Sequence, residues 1–192
     1  MLLSCQTPNS TKELKVDSTK PVAVIEKVDS IVKHPVQSDD TITTILLSYT
    51  NRHVFSHPGQ QDFFKIFLTG RSITKGRVHF QIFDKNDSLI HNETFAAQEL
   101  LGDLGDFITT TKQGEDTIAN RMKHFFSEDN FILPAIQPGD KFYYDNSDMI
   151  TWKDINTDKT AVGFIYSHGY EGTYWIAYSK KNRKTVCYRS SD

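Results

Sequence analysis

Residues 63–95 read FFKIFLTGRSITKGRVHFQIFDKNDSLIHNETF, short apolar-alternating runs separated by turn-forming residues at hairpin distance. In the middle run Val78, Phe80 and Ile82 alternate with Arg77, His79 and Gln81. That period of two sets one strand face on a core and the other toward water. Asp84-Lys85-Asn86-Asp87-Ser88 tolerates tight-turn dihedrals, and Gly70 and Gly76 bracket the preceding connection. The stretch predicts three consecutive antiparallel strands, and the rest of the chain is placed around them.

Upstream, TITTILLSYT at 41–50 is rich in β-branched and aliphatic residues and predicts a first strand, followed by a loop over 52–62. Downstream, AAQELLGDL at 96–104 sets Leu100, Leu101 and Leu104 on one face of a short helix closed by Gly105. A second helix is expected over 115–127, with Glu115 and Asp116 at its positive end and Ile118, Met122, Phe125 and Phe126 as its apolar stripe. Pro134 and Pro138-Gly139-Asp140 break the chain. The runs 142–144, 149–155, 160–167, 172–179 and 184–189 then read as strands, with 168–172 and 180–183 as the last two turns. The order β, α, β predicts an α+β domain, mainly antiparallel β-sheet with two helices packed on one face. A β-sandwich with a helical insertion is the alternative.

A chain of 192 residues with 13 Phe, 8 Tyr and 2 Trp can bury one good-sized core. A formal net charge of -2 provides no overall pull toward nucleic acid, whose binders carry a basic excess or stripe. No run approaches the ~20 apolar residues of a membrane-spanning helix. Residues 6–40 contain no aromatic side chain and too little apolar surface to offset the entropy of ordering them. Val24, Val28, Ile31 and Val32 fall at helical spacing there, but their β-branching argues against a stable isolated helix. The expected division is a tether over 1–40 and one globular domain over 41–192.

Leu2-Leu3-Ser4-Cys5 has an apolar residue three before a cysteine and a small residue just before it. It resembles the lipobox of bacterial lipoproteins. The resemblance implies that Cys5 carries the lipid and becomes the mature first residue, that the apolar signal segment lies upstream of Met1, and that the protein is held at the cell envelope, on the periplasmic or surface face of the outer membrane. The polar stretch after Cys5 is what such an anchor needs as a tether. Cys187, the other cysteine, stands in a strand-like run, so no disulfide is expected and Cys187 reads as a small buried hydrophobe.

The triplet Asp, Ser or Thr, then an aliphatic residue or Thr occurs at Asp17, Asp29, Asp40, Asp87 and Asp116, against about one expected from composition. It resembles an O-glycosylation motif of exported proteins in some Gram-negative bacteria, which implies candidate acceptors at Ser18, Ser30 and Thr41. Ser88 and Thr117 read instead as turn and cap residues.

No cluster of catalytic type stands out. His53 and His57 are spaced i, i+4 but end at Pro58-Gly59 without the Glu of an H-E-x-x-H site, and read as two loop histidines. Asp154-Ile155-Asn156-Thr157-Asp158 begins like a calcium loop, but Lys159 replaces its glycine and Ile165 its terminal Glu, so it reads as a turn between strands. With no Gly-rich phosphate loop and no G-x-S-x-G, no catalytic residue, metal or cofactor is assigned. The aromatic and basic residues of the last third remain: His168, Tyr170, Trp175, Lys180, Lys181 and Arg183 are the candidate binding residues. The sequence expectation is a lipid-anchored, non-enzymatic envelope domain that binds a protein or glycan. The alternatives are a periplasmic or surface hydrolase and an immunity protein against an envelope-acting toxin.

Overall fold

The computed structural model describes residues 44–142 and 148–191. The strands β1 (Ile45–Val54), β2 (Gln61–Thr69), β3 (Arg77–Phe83) and β4 (Leu89–Ala96) form one antiparallel meander in the order β1-β2-β3-β4. Register follows the alternation: Phe64 faces Ile82, Ile66 faces Phe80 and Leu68 faces Val78, and all six are fully buried. A slip of one residue would turn these side chains to water, so the buried face fixes the pairing. The expected loop over 52–62 is shorter, 55–60, because β1 continues to Val54. Its residues fold over the fully buried Asp62, whose carboxylate accepts from the Ser56 amide at 2.5 Å and the Ser56 hydroxyl at 2.8 Å.

The later strands β5 (Phe131–Ile132), β6 (Gly163–Ser167), β7 (Thr173–Ser179) and β8 (Lys184–Ser191) form a second antiparallel sheet in the order β5-β6-β7-β8. The two sheets share one core. Phe164 of β6 lies 5.6 Å from both Phe64 and Phe80 by ring centroid, and Tyr166 lies 5.2 Å from Phe80. These rings meet edge-on or tilted, the arrangement their quadrupoles favour. The fold is α+β, with its antiparallel strands divided between two sheets.

Helix α1 (Thr111–Lys123) closes the shared core with Ile118 and Met122, both fully buried. It starts four residues before the sequence expectation because Thr110 caps it. The Thr110 hydroxyl accepts from the Gln113 amide at 3.2 Å, and the Gln113 side chain accepts from the Thr110 amide at 3.2 Å. That reciprocal pair satisfies two amide donors at the helix start. Thr117, expected as a cap, sits in mid-helix. The expected helix over 96–104 is a 3-10 run, Ala97–Phe107, interrupted where Gly102 takes φ 54° and ψ -138°. A side chain is disfavoured in that backbone region, so the glycine sets the break. Leu100 anchors the run in the core, whereas Leu104 faces solvent.

Residues 149–155, expected as a strand, belong to helix α2 (Met149–Thr157). The Asp148 carboxylate accepts from the Ile150 and Thr151 amides at 2.8 and 3.0 Å, satisfying donors that open a helix. Ile155 and Trp152 then pack with Ala135, Ile136, Ala177 and Tyr188 on the side of the second sheet away from the shared core. That tertiary contact overrides the strand preference of Ile150 and Thr151. Asp154 to Asp158 is therefore the end of a helix and its cap, not a turn between strands. Phe142 lies outside any strand, and Tyr143 and Tyr144 fall outside the described residues, as do Cys5, Ser18, Ser30, Thr41 and the whole 1–40 tether.

Candidate functional site

The β6–β7 turn, residues 168–172, is built tightly. The His168 amide donates to the Gly172 carbonyl at 3.1 Å, and a Cβ on Gly172 would lie 2.7 Å from the His168 carbonyl oxygen. Only glycine fits there. The Gly169 amide donates to the Glu99 carbonyl at 3.0 Å, which ties the turn to the 3-10 run.

Beneath this turn three residues distant in sequence converge. His168 Nδ1 lies 2.9 Å from Glu99 Oε2, and its Nε2 lies 3.0 Å from Glu93 Oε1. The Tyr166 hydroxyl donates to Glu93 Oε2 at 2.6 Å. The Phe95 and Tyr174 rings flank the imidazole, with centroids at 4.3 and 4.6 Å and planes tilted by 5° and 17°. His91 Nε2 stands 3.6 Å from Glu93 Oε2, too far for a hydrogen bond.

A neutral imidazole has one N–H and can satisfy only one of two facing carboxylates, whereas the imidazolium donates to both. Burial pushes the His168 pKa down, but the hydrogen bonds and charges of Glu93 and Glu99 outweigh it and raise the pKa above its ordinary value. Burial also pushes the Glu93 carboxyl up, and the hydrogen bonds from His168 and Tyr166 with the imidazolium charge hold it well below the usual carboxylate range. The Tyr166 phenol is raised by burial and by the Glu93 charge. A base that accepts a proton needs a free nitrogen lone pair, and here both ring nitrogens are taken. His168 is thus a latch between β4, the 3-10 run and the β6–β7 turn.

Outside the latch the turn forms one wall of an open groove of about 690 Å³, with the 3-10 run and α1 as the others. Its lining is rich in hydrogen-bonding side chains, among them Asn120, Arg121, Asn130, Ser167 and Thr173. Tyr170 stands on the rim, 64% exposed, its hydroxyl 3.4 Å from Asp106 Oδ2. Arg121 Nη2 lies 3.8 Å from Asp103 Oδ1 across one side.

Of the sequence-predicted binding residues, the fold brings His168 and Tyr170 to this groove and sends the others elsewhere. Trp175 packs with the α2 cluster under the Arg189 guanidinium, 4.5 Å above its ring. Lys180 pairs with Asp158 at 2.6 Å, and Lys181 and Arg183 are exposed in the β7–β8 turn. Successive turns of a meander lie at opposite ends of the strand between them, here the seven residues of β7. Glu93 and Glu99, the carboxylates of the latch, carry no sequence signal, because they are separated from His168 by 75 and 69 positions, and Tyr166 is one of several aromatic residues of the last third.

Cys187 is exposed rather than buried, because β8 bulges between Cys187 and Arg189 and turns Tyr188 inward in its place. Its thiol donates to the Arg189 carbonyl at 3.2 Å, and loss of water on that side pushes its pKa up, away from thiolate character. His53 stacks on Phe131 and His57 bonds to Ser56, so the two do not share a site. No group of three or more His, Cys, Asp or Glu among the described residues could hold a metal ion. Comparison with protein-family models, curated proteins and solved structures finds no match.

Proposed function

We propose that the chain is a lipid-anchored domain of the bacterial cell envelope that binds a glycan or protein in the groove between α1 and the β6–β7 turn. One observation carries the binding reading: the strongest ionisable cluster beside the groove is closed on itself, while the groove wall offers amide, hydroxyl and guanidinium groups. Such a surface suits recognition through many weak hydrogen bonds around an aromatic rim, with Tyr170 as the anchor. The envelope reading rests on Leu2-Leu3-Ser4-Cys5 and the polar stretch after it.

The test is capture of glycans on an array and of proteins from envelope extracts, by wild type and by Tyr170→Ala. An exposed side chain of this kind changes stability by about 0.5 kcal/mol, whereas loss of an aromatic anchor costs about 2 kcal/mol or more in affinity. Retained melting temperature with at least tenfold weaker capture is the expected result. Equal capture by both folded proteins would remove the groove from consideration. Lys181→Ala, at the far end of β7, is the surface control and should leave capture unchanged.

A further inference from the structure

The first sheet has a second face, opposite the shared core, that contributes no strand pair of β2 and β3 to either core cluster of the described residues. Alternation and register place the pairs Phe63 with Phe83, Lys65 with Gln81, and Phe67 with His79 on it. None of these three phenylalanines belongs to a core cluster. Three cations share the face. The Arg52 guanidinium lies 5.3 Å over the Phe63 ring, Lys65 Nζ lies 4.7 Å over the Phe67 ring, and Arg77 stands exposed at the start of β3.

No strand carboxylate accompanies them. Asp62 points inward to Ser56 and Glu93 to His168, and Asp84 and Asp87 stand in the turn beyond Phe83. Across the middle of the face Thr50, Lys65, Gln81 and Asn92 align, with Gln81 donating to Asn92 at 3.1 Å. A plain solvent face intersperses both signs, and opposite charges across strands help to hold a sheet. Here Arg52, Lys65 and Arg77 have no carboxylate partner among the described residues.

We propose that this face binds an acidic polysaccharide, a polymer of sugar rings bearing carboxylate or sulfate groups. Sugar hydroxyls meet the amide row, the acid groups meet the cations, and sugar C–H groups pack on the phenylalanine surface that Arg52, Lys65 and His79 leave open. The two aromatic stations lie four residues apart on β2, about 13 Å, with Lys65 between them. That order of apolar, cationic and apolar positions suits a polymer with its charges spaced along a stackable chain. A polynucleotide carries one charge at every residue and is met by a dense basic excess, which three cations on a chain of net charge -2 do not supply. The site is separate from the groove, so either can fail without the other.

The experiment is calorimetric titration of the full chain with hyaluronate and unsulfated chondroitin oligosaccharides, each with one carboxylate per disaccharide, beside neutral laminarin oligosaccharides and oligo(dT), at low and at raised salt. Binding of a uronate is expected, several-fold weaker at raised salt, and at least tenfold weaker in both Lys65→Glu and Phe63→Ser. Tyr170→Ala should bind the uronate like wild type. Melting curves confirm folding, and Phe63→Leu, which keeps apolar volume without a ring, replaces Phe63→Ser should the latter unfold. Absence of binding to either uronate, indifference to Lys65→Glu, or tighter binding of oligo(dT) would overturn the proposal. So would a ring variant that binds like wild type, since plain charge attraction would then suffice.

Discussion

At the scale of residues, His168 decides how the groove wall is held. Its pKa is raised, so its share of stability is complete below its unfolded value, about 6.5, and is lost as pH rises through the raised folded value. Glu93 works in the opposite sense: its pKa is lowered, so its share is complete above about 4.3 and is lost as pH falls through the depressed folded value. The latch is strongest between these limits, about pH 4.3 to 6.5. Removing one partner of a buried ion pair costs about 3–5 kcal/mol. With the Glu99 side chain 38% exposed, screening by water lowers the expected loss for His168→Gln to about 2–3 kcal/mol. Urea midpoints at pH 5.5 and pH 9 should show the gap between wild type and variant narrowing at the higher pH. A gap that stays constant would mean that His168 acts through packing between Phe95 and Tyr174 alone. Sequence pointed to His168 as a candidate binding residue in a turn; its partners, 69 and 75 positions away, carry no local signal.

At the scale of elements, alternation was the dependable guide. β2 and β3 were legible because each has one buried face, which writes a period of two into the sequence, and β4 followed from the turn residues 84–88 before it. α2 was not legible, since Met149-Ile150-Thr151-Trp152 has the β-branched and aromatic content of a strand and only the Asp148 cap and the Ile155 contact make it helical. The leucines of the 3-10 run repeat at helical spacing and predict one short helix, whereas Gly102 breaks it midway. For α1 the acidic pair Glu115 and Asp116 marks a start at 115, four residues inside the one that the Thr110 capping box sets. A comparison of two threonines tests the corrected start: Thr110→Ala should cost about 1 kcal/mol by loss of the cap. Thr117→Ala, in mid-helix, should be neutral or slightly stabilising because alanine is the better helix former. Guanidinium unfolding of both variants measures the difference, and equal losses would place the helix start elsewhere.

At the scale of the whole molecule, two sheets and α1 enclose one aromatic core in which Phe164 touches Phe64, Phe80, Phe125, Phe126 and Phe131. That core draws its residues from Leu46 onward, and the segment before 41 has no aromatic side chain to add to it. Removing residues 1–37 should therefore leave the urea midpoint unchanged; a large loss would mean that Val24, Val28 and Ile31 dock on the domain. Where the domain is held decides which ligands it can meet, so the envelope location is the claim on which the binding proposals depend for their setting. The direct measurement is fractionation and palmitate labelling of wild type and Cys5→Ser, both expressed from the native locus. Wild type should be labelled and sediment with membranes, and Cys5→Ser should be unlabelled and soluble. Wild type without label, or a Cys5→Ser protein that still sediments with membranes, would contradict the account.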